Sequence, residues 1–374
     1  MRLTNWLTLL LACTGTAIGA CGSTRDITGH ETNPPPGDTT KSGGVDSGGP
    51  GARPAVVTGA TPVAIVDNSV AVHVFSVFTG RLDGTLRRQL HFSNVADPIV
   101  GNDPSLRVTD DKLAGLSSPA LSPDGQRLAV VASVAMSQSE IVVIGVDGAA
   151  PEVASPNSAL VTGGVAWSPD GTKLAYGTTT ASDSTHVQLT ITNLAAHTVS
   201  RIPGVTMSSP TAIQWSPDGK SLVIATHAGT APNVLSNLLQ VDVTTGAMHT
   251  VAAEIPGEIT SISSTATRVL LTRTANSDSG VTTQLIEHTL AGSERIVISF
   301  DAVGGHYVAA SDELAVITGR VTIDGHTSVE TFVRNLQTGV GLEVGAGASI
   351  SVDAARADTT PGLHSIFDRR KAHD

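Results

Sequence analysis

The chain is poor in cysteine, aromatic residues and charge. Its two cysteines among 374 residues are too few for a disulfide framework or a cysteine-built metal site. Charged residues make up 15% of the chain, aromatic residues 3% and hydrophobic residues 40%. This composition excludes a coiled coil and disorder over the whole length. A formal net charge of −11 argues against a nucleic-acid partner and against direct docking on anionic lipid, because both need basic surfaces.

Glycine and proline are abundant by contrast. The 38 glycines and 19 prolines separate short runs that are rich in Val, Ile and Thr. Such runs favour β-strands, and glycine and proline favour the turns between them. The sequence therefore predicts an all-β fold.

The N-terminus has the pattern of an export signal. Residues 1–20 carry one positive charge, then an apolar stretch, then small residues before Cys21, which predicts a signal peptide. The apolar stretch is diluted by threonines and is shorter than the about 20 apolar residues that cross a bilayer. No other segment is long enough, so we expect the mature chain to cross no membrane.

The end of this signal resembles the lipobox of bacterial lipoproteins. The segment Ile18-Gly19-Ala20-Cys21 has an aliphatic residue, two small residues and a cysteine. The resemblance implies cleavage before Cys21 and diacylglyceryl attachment to its sulfur, and two or more acyl chains anchor a protein stably. An ordinary secretory signal with a coincidental cysteine is the alternative. Cys13 would leave with the signal.

A linker is predicted over 21–54, between the anchor and the folded part. After Cys21 it has no aromatic residue, few aliphatic ones, a Pro34-Pro35-Pro36 run and repeated glycine pairs. Such a segment cannot bury enough apolar surface to offset the entropy of ordering. A flexible coil of this length spans roughly 30 Å, so it would tether a domain near a membrane.

A repeat of 45 to 48 residues runs through the rest of the chain. Residues 121–132 (LSPDGQRLAVVA), 167–178 (WSPDGTKLAYGT) and 215–226 (WSPDGKSLVIAT) are strong copies, and weaker copies begin at Ile262 and Tyr307. A second landmark, a polar residue before a turn, keeps the same step. It recurs at Asp147, Asn193, Asp242, His288 and Asn335. Two signals in phase indicate one repeated supersecondary unit.

Each repeat can be divided into four strands with a Ser-Pro-Asp-Gly turn between the first two. Proline sets φ in that turn, aspartate closes it and glycine takes positive φ. The turn residues are therefore predicted to be structural: Asp124, Gly125, Asp170, Gly171, Asp218 and Gly219. Four short strands in a repeat of about 40 to 50 residues are typical of a β-propeller blade.

Six blades are predicted over roughly 62–350, within a propeller domain at 55–353 and before a tail at 354–374. The first blade is irregular, and its strands are predicted at 62–67, 69–77, 87–93 and 105–110. Residues 347–353 and 56–58 would close the ring or form part of a seventh blade. Seven blades is thus the alternative.

The SPDG-K/R-L-A core resembles the WD40-like (PD40) repeat of TolB-type propellers. The resemblance covers most of the mature chain and implies a propeller fold and a periplasmic compartment. The α/β domain that precedes the TolB propeller is missing, so the partnership of TolB with a peptidoglycan-associated lipoprotein is not implied. Fold analogy alone does not assign a function.

Motifs for catalysis and metal binding are missing. The chain contains no G-x-S-x-G, H-E-x-x-H or G-x-x-x-x-G-K-[ST] motif, and its twelve histidines form no i, i+2 or i, i+4 pair. We therefore predict no catalytic residue, no metal site and no cofactor. A site donated one residue per blade would leave no linear motif, so a propeller enzyme, such as a metal-dependent hydrolase or lactonase with a channel-lining site, stays open.

Binding residues are expected in the segments that join the second and third strands, because these differ in every blade. They are 133–140, 178–186, 226–237, 272–283 and 318–328. Their polar members are the candidate binding residues: Asp183, His186, His227, Arg273, Asp278, Arg320, Asp324 and His326.

The sequence thus predicts a monomeric, lipid-anchored cell-envelope protein whose propeller binds an envelope protein or polymer. Gly22, rather than aspartate, follows the cysteine. By resemblance to lipoprotein sorting this suggests the periplasmic side of the outer membrane in a double-membrane bacterium. In a single-membrane bacterium the protein would lie on the outer leaflet of the plasma membrane.

Overall fold

The computed structural model describes sixteen ranges between residues 61 and 354. They are 61–69, 74–81, 86–92, 95–99, 108–110, 113–135, 138–156, 160–180, 183–207, 210–229, 233–277, 280–298, 302–309, 311–323, 326–346 and 350–354. The predicted signal peptide, Cys21, the linker and the tail after residue 354 lie outside them. Within these ranges no helix is long and apolar enough to cross a membrane.

The described ranges form twenty-four β-strands. In chain order they are β1 (Pro62–Ser69), β2 (Val74–Arg81), β3 (Arg88–Leu90), β4 (Gly115–Leu121), β5 (Arg127–Ala135), β6 (Gln138–Gly145), β7 (Glu152–Val153), β8 (Leu160–Trp167), β9 (Lys173–Thr180), β10 (Asp183–Asn193), β11 (Thr198–Met207), β12 (Pro210–Trp215), β13 (Ser221–Ala228), β14 (Leu235–Asp242), β15 (Met248–Pro256), β16 (Glu258–Ile262), β17 (Arg268–Ser277), β18 (Gly280–Thr289), β19 (Glu294–Ile298), β20 (Ala302–Tyr307), β21 (Leu314–Ile323), β22 (His326–Asn335), β23 (Gly341–Ala346) and β24 (Ile350–Ala354).

These strands form six antiparallel sheets of four strands, which confirms the all-β, six-bladed propeller. Blades 2 to 6 each take four consecutive strands, β4–β7, β8–β11, β12–β15, β16–β19 and β20–β23. The first strands of neighbouring blades contact one another around the axis, as β8 does with β4 and β12. They are the inner strands of the ring.

Blade 1 closes the ring with strands from both ends of the chain. Its order is β24-β1-β2-β3, and Ile65 of β1 pairs with Val352 of β24. Residues 350–354 therefore supply the inner strand, and the seven-blade alternative is wrong. The strand predicted at 105–110 is also wrong where it is described, because 108–110 form no strand. Val108 is instead buried in the layer between blades 1 and 2, and Asp110 accepts a hydrogen bond from the Phe92 amide.

Six apolar layers hold the ring together, one at each junction between neighbouring blades. Trp167 and Trp215 end the inner strands of blades 3 and 4, and both indoles are buried in these layers. The indole N–H of Trp167 donates to the Ala120 carbonyl at 2.8 Å, and that of Trp215 donates to the Ala166 carbonyl at 3.1 Å. A blade cannot bury both of its faces alone, so each tryptophan joins its blade to the preceding one.

The Ser-Pro-Asp-Gly turns share one geometry. Gly125, Gly171 and Gly219 have φ of 67°, 68° and 68°, a left-handed conformation that glycine adopts without steric cost. In the turn of blade 3 the Ser168 hydroxyl donates to the Asp170 carboxylate at 2.6 Å, and the Thr172 amide donates to the same oxygen at 3.0 Å. The aspartate therefore holds the turn closed locally.

Blade 5 has the same turn without its aspartate and glycine. The residues there are Ser263-Ser264-Thr265-Ala266, and Ala266 takes a φ of 55°. The carboxylate comes from blade 6. Asp312 accepts hydrogen bonds from the Ser264 amide at 2.6 Å and from the Ser264 hydroxyl at 2.7 Å. The Thr265 hydroxyl also donates to Asp312, so one side chain closes the turn and joins two blades.

Candidate functional site

The segments predicted as variable loops are mostly β-strand. In blade 3, β9 runs to Thr180 and β10 begins at Asp183, and in blade 5 Ser277 pairs with Gly280 across the hairpin. Only the blade 4 segment keeps a longer connection among the described residues, between Ala228 and Leu235. In the other four blades the predicted loop bounds were too wide, because their Thr- and Ser-rich sequences extend the strand pairing.

The candidate binding residues are spread over the hairpin ends of four blades. Their positions follow from the strand bounds: Asp183 and His186 in blade 3, His227 in blade 4, Arg273 in blade 5, and Arg320 and His326 in blade 6. Asp278 and Asp324 lie outside the described residues. Antiparallel strand order puts these hairpin ends on one face of the ring. No two of the described members share a hydrogen bond among those identified, so their binding role stays a prediction.

Three of these residues have distinct surroundings. His186 is exposed, and Arg320 is exposed and lines the central channel. His227 stands opposite Ser236 in the β13–β14 pair, and its Nδ1 is buried without a hydrogen-bond partner. Asp183 and His326 pair in register with Thr180 and Ile323.

Arg273 has a structural environment. Its guanidinium makes two hydrogen bonds to the Glu294 carboxylate, at 2.7 and 2.8 Å, and donates to the Pro256 carbonyl of blade 4 at 2.6 and 2.9 Å. Glu294 also lies 3.1 Å from Nδ1 of His288. The hydrogen bonds from Arg273 lower the pKa of Glu294 to about 2. This side chain joins blade 5 to blade 4, which leaves fewer donors for a ligand.

A channel runs along the propeller axis. Its cavity volume is about 980 Å³, and its walls come from the inner strands of blades 1 to 6. Prolines of the Ser-Pro-Asp-Gly turns of blades 2, 3 and 4 line one part of it, and Arg320 and Val329 of blade 6 line another. A cavity of this size is typical of ligand sites.

The channel wall is mainly hydroxyl groups, glycine backbone and aliphatic carbon. Its hydroxyls include those of Ser117, Thr211 and Thr260. The Thr260 hydroxyl donates to the Gly305 carbonyl at 2.6 Å and so ties blade 5 to blade 6. A Cβ on Gly305 would lie 2.8 Å from Leu285 Cδ2. The backbone therefore approaches the neighbouring blade closely at this point.

A histidine–carboxylate pair marks the junction of blades 6, 1 and 2 in this channel. Nε2 of His306 lies 3.2 Å from Oδ1 of Asp353, and their side chains are 39% and 7% exposed. Asp353 also accepts hydrogen bonds from the Leu121 amide at 2.7 Å and from the Ala354 amide at 2.8 Å. If His306 carries its proton on Nε2, its Nδ1 is an acceptor available to a channel ligand.

Sequence reasoning missed this pair. His306 and Asp353 are 47 residues apart, on the inner strands of different blades. The one sequence signal for this pair is its position in the repeat. Each of the two residues is the last but one of an inner strand, and Ala166 and Gln214 occupy the same position in blades 3 and 4. Among the described residues no group of three or more His, Cys, Asp or Glu side chains could hold a metal ion.

Comparisons with known proteins give structural likeness only. No protein-family model matches the chain, and no curated protein matches it. A solved structure described as putative TolB from Agrobacterium tumefaciens is similar to 80% of this chain over 99% of its own, with 12% identity and a TM-score of 0.45.

Two further solved structures are similar at the same level. A chain of the nidogen/laminin complex is covered over 100% of its length by 79% of this chain, with 8% identity and a TM-score of 0.48. An oligogalacturonate lyase in complex with manganese is covered over 75% by 80% of this chain, with 14% identity and a TM-score of 0.47. Likeness at this level carries no inference about activity.

Proposed function

We propose that this protein is a lipid-anchored protein of the cell envelope whose propeller binds an envelope protein or polymer in its central channel. The observation that carries the binding part is the channel itself, about 980 Å³ in volume and walled by hydroxyls, backbone and the His306–Asp353 pair. Such walls offer both donors and acceptors along an extended path. An extended peptide or a glycan presents matching groups along its length.

The channel experiment compares two positions in one blade. A photo-crosslinking amino acid replaces Gln214, which lines the channel, or Met248, which is 48% exposed on the outer strand. Cells are irradiated intact and the adducts identified by mass spectrometry. We expect one reproducible protein or polymer adduct from the Gln214 position and none of it from the Met248 position. Equal capture from both positions, or no adduct from Gln214, would contradict a channel site.

The anchor rests on the lipobox-like segment 18–21. Cys21 is the residue that would carry the lipid, and the linker would hold the propeller roughly 30 Å from the membrane. The Cys21→Ser variant is expected in the soluble fraction after cell lysis, with the natural chain in the membrane fraction. Cys13→Ser serves as the matched control and should leave membrane association unchanged. A Cys21→Ser variant that stays with the membrane would contradict lipid anchoring.

A further inference from the structure

Three arginines lie at the junction of blades 5 and 6, on an otherwise acidic chain. Arg268 and Arg295 come from β17 and β19 of blade 5, and Arg334 comes from β22 of blade 6. The side chains of Arg268 and Arg295 are 25% and 43% exposed. We call this set, together with the buried Glu287, the arginine cluster.

The single carboxylate of Glu287 cannot neutralise all three arginines. Its Oε1 accepts the Tyr307 hydroxyl at 3.2 Å and lies 3.4 Å from Nη1 of Arg268. Its Oε2 accepts a hydrogen bond from Nη2 of Arg295 at 2.5 Å. One carboxylate therefore faces two guanidinium groups and a phenol, and the arginine cluster keeps an excess of positive charge.

The other two arginines cross the junction between the blades in opposite directions. Arg295 donates from blade 5 to the Leu336 carbonyl of blade 6. Arg334 donates to the Gly339 carbonyl at 2.9 Å, and its Nη1 lies 3.5 Å from the Val297 carbonyl of blade 5. Each guanidinium has five N–H donors, so both keep donors beyond these contacts.

Arg334 has no acidic partner within 4.0 Å among the described residues. It is half-buried and satisfied by carbonyl oxygens alone. Burial, and then the nearby charge of Arg295, lower the pKa of Arg334. The positive charges of Arg295 and Arg334 therefore oppose each other, and a bound anion would offset that repulsion.

The corresponding junction between blades 2 and 3 is balanced. There a single arginine, Arg127, stacks over the Trp167 ring at 4.9 Å, and the carboxylate of Glu152 lies near it. Arginine at this level of a blade is thus compatible with a structural role. At the junction of blades 5 and 6, in contrast, the arginine cluster has three arginines and the one carboxylate of Glu287.

We propose that the arginine cluster binds an oxyanion of the phosphate type, held by the paired donors of Arg295 and Arg334 with Arg268 alongside. Planar guanidinium groups match phosphate oxygens in a two-pronged geometry. The three arginines lie on β17, β19 and β22 and do not line the central channel, so this site does not depend on the channel ligand. The phosphate can be free in solution or part of a lipid headgroup, and the test separates the two.

The test measures how inorganic phosphate shifts the thermal unfolding of the full chain, at fixed ionic strength set with sodium chloride. Phosphate should raise the midpoint of the natural chain and of Arg201→Gln, which removes one exposed arginine from blade 3. Arg334→Gln and Arg295→Gln should each weaken phosphate binding roughly tenfold, because a hydrogen bond to a charged group contributes about that factor. The readout is the phosphate-induced shift of each variant, so a lower starting stability does not mimic the result.

A second measurement covers variants that fold poorly. Arg334→Lys keeps the charge and loses the planar fork, and is expected to bind phosphate less tightly than the natural chain but more tightly than Arg334→Gln. Vesicles of phosphatidylcholine with and without phosphatidylglycerol form the lipid arm. Stronger cosedimentation with the anionic vesicles, lost in Arg334→Gln, would identify a headgroup, and phosphate shifts without it would identify a free anion. No phosphate-induced shift in the natural chain, or equal shifts in all variants, would overturn the proposal.

Discussion

Asp312 is expected to stabilise the propeller by replacing the aspartate that the blade 5 turn lacks. Its carboxylate accepts the Ser264 amide and hydroxyl at 2.6 and 2.7 Å and lies 3.4 Å from the Thr265 amide. A hydrogen bond to a charged group contributes about 1.5–3 kcal/mol. The Thr265 contacts are exposed, so water replaces them at little cost. Asp312→Ala should therefore lower the free energy of unfolding by about 2 kcal/mol.

Adding a carboxylate to this turn should stabilise the chain that lacks Asp312 and should not stabilise the natural chain. Thr265 occupies the position that Asp170 occupies in blade 3, and Ala266 occupies the position of Gly171. In the Asp312→Ala background, Thr265→Asp with Ala266→Gly should restore about 1 kcal/mol, because the carboxylate closes the turn and glycine relieves the positive φ. In the natural background the same pair should gain little or destabilise, since two carboxylates would then meet.

The assay is urea unfolding followed by tryptophan fluorescence, with free energies compared only where the slope against urea is unchanged. Gly219→Ala is the matched control for the glycine part. It introduces alanine at a φ of 68° where an added Cβ meets nothing within 4 Å, and should cost about 1–2 kcal/mol. Equal effects of the Thr265→Asp and Ala266→Gly pair in both backgrounds would refute the replacement argument.

Three further variants test the packing and the charges. Gly246→Ala should destabilise by more than about 3 kcal/mol or prevent folding, because its Cβ would lie 2.0 Å from the Pro203 carbonyl oxygen; urea unfolding measures it. Burial, and then the charge of Asp97, raise the pKa of Glu140 from 4.5 to about 7. The contribution of Glu140 to the free energy of unfolding is therefore complete below pH 4.5 and is lost as the pH rises to about 7. Glu140→Gln should flatten the fall in stability between about pH 5 and 8, and an unchanged slope would contradict this. Asp353→Ala should cost about 2–3 kcal/mol in urea unfolding, because it leaves the buried Leu121 amide without its acceptor, and a loss within about 0.5 kcal/mol of zero would argue against that role.

The blade architecture could be predicted from the sequence because it is local. The Ser-Pro-Asp-Gly turns and the second landmark recur at a fixed step, and their residues encode turn geometry within a few positions. Trp167 and Trp215 lie in the layers between blades, since a large apolar ring on an inner strand needs a neighbouring blade. The loop expectation failed because Thr and Ser occur in strands and loops alike, and pairing across a hairpin decides between them.

The sequence by itself determined the repeating unit and its period, since each blade is specified by short-range turn and strand signals, but it left the number of blades at six or seven. Only the tertiary structure decided how the ring closes and what meets inside it. β24 pairs with β1 across nearly 290 residues, and Asp312, His306 and Asp353 contact partners 47 to 232 residues away. Such contacts form only when the ring is closed, so no local sequence pattern predicts them.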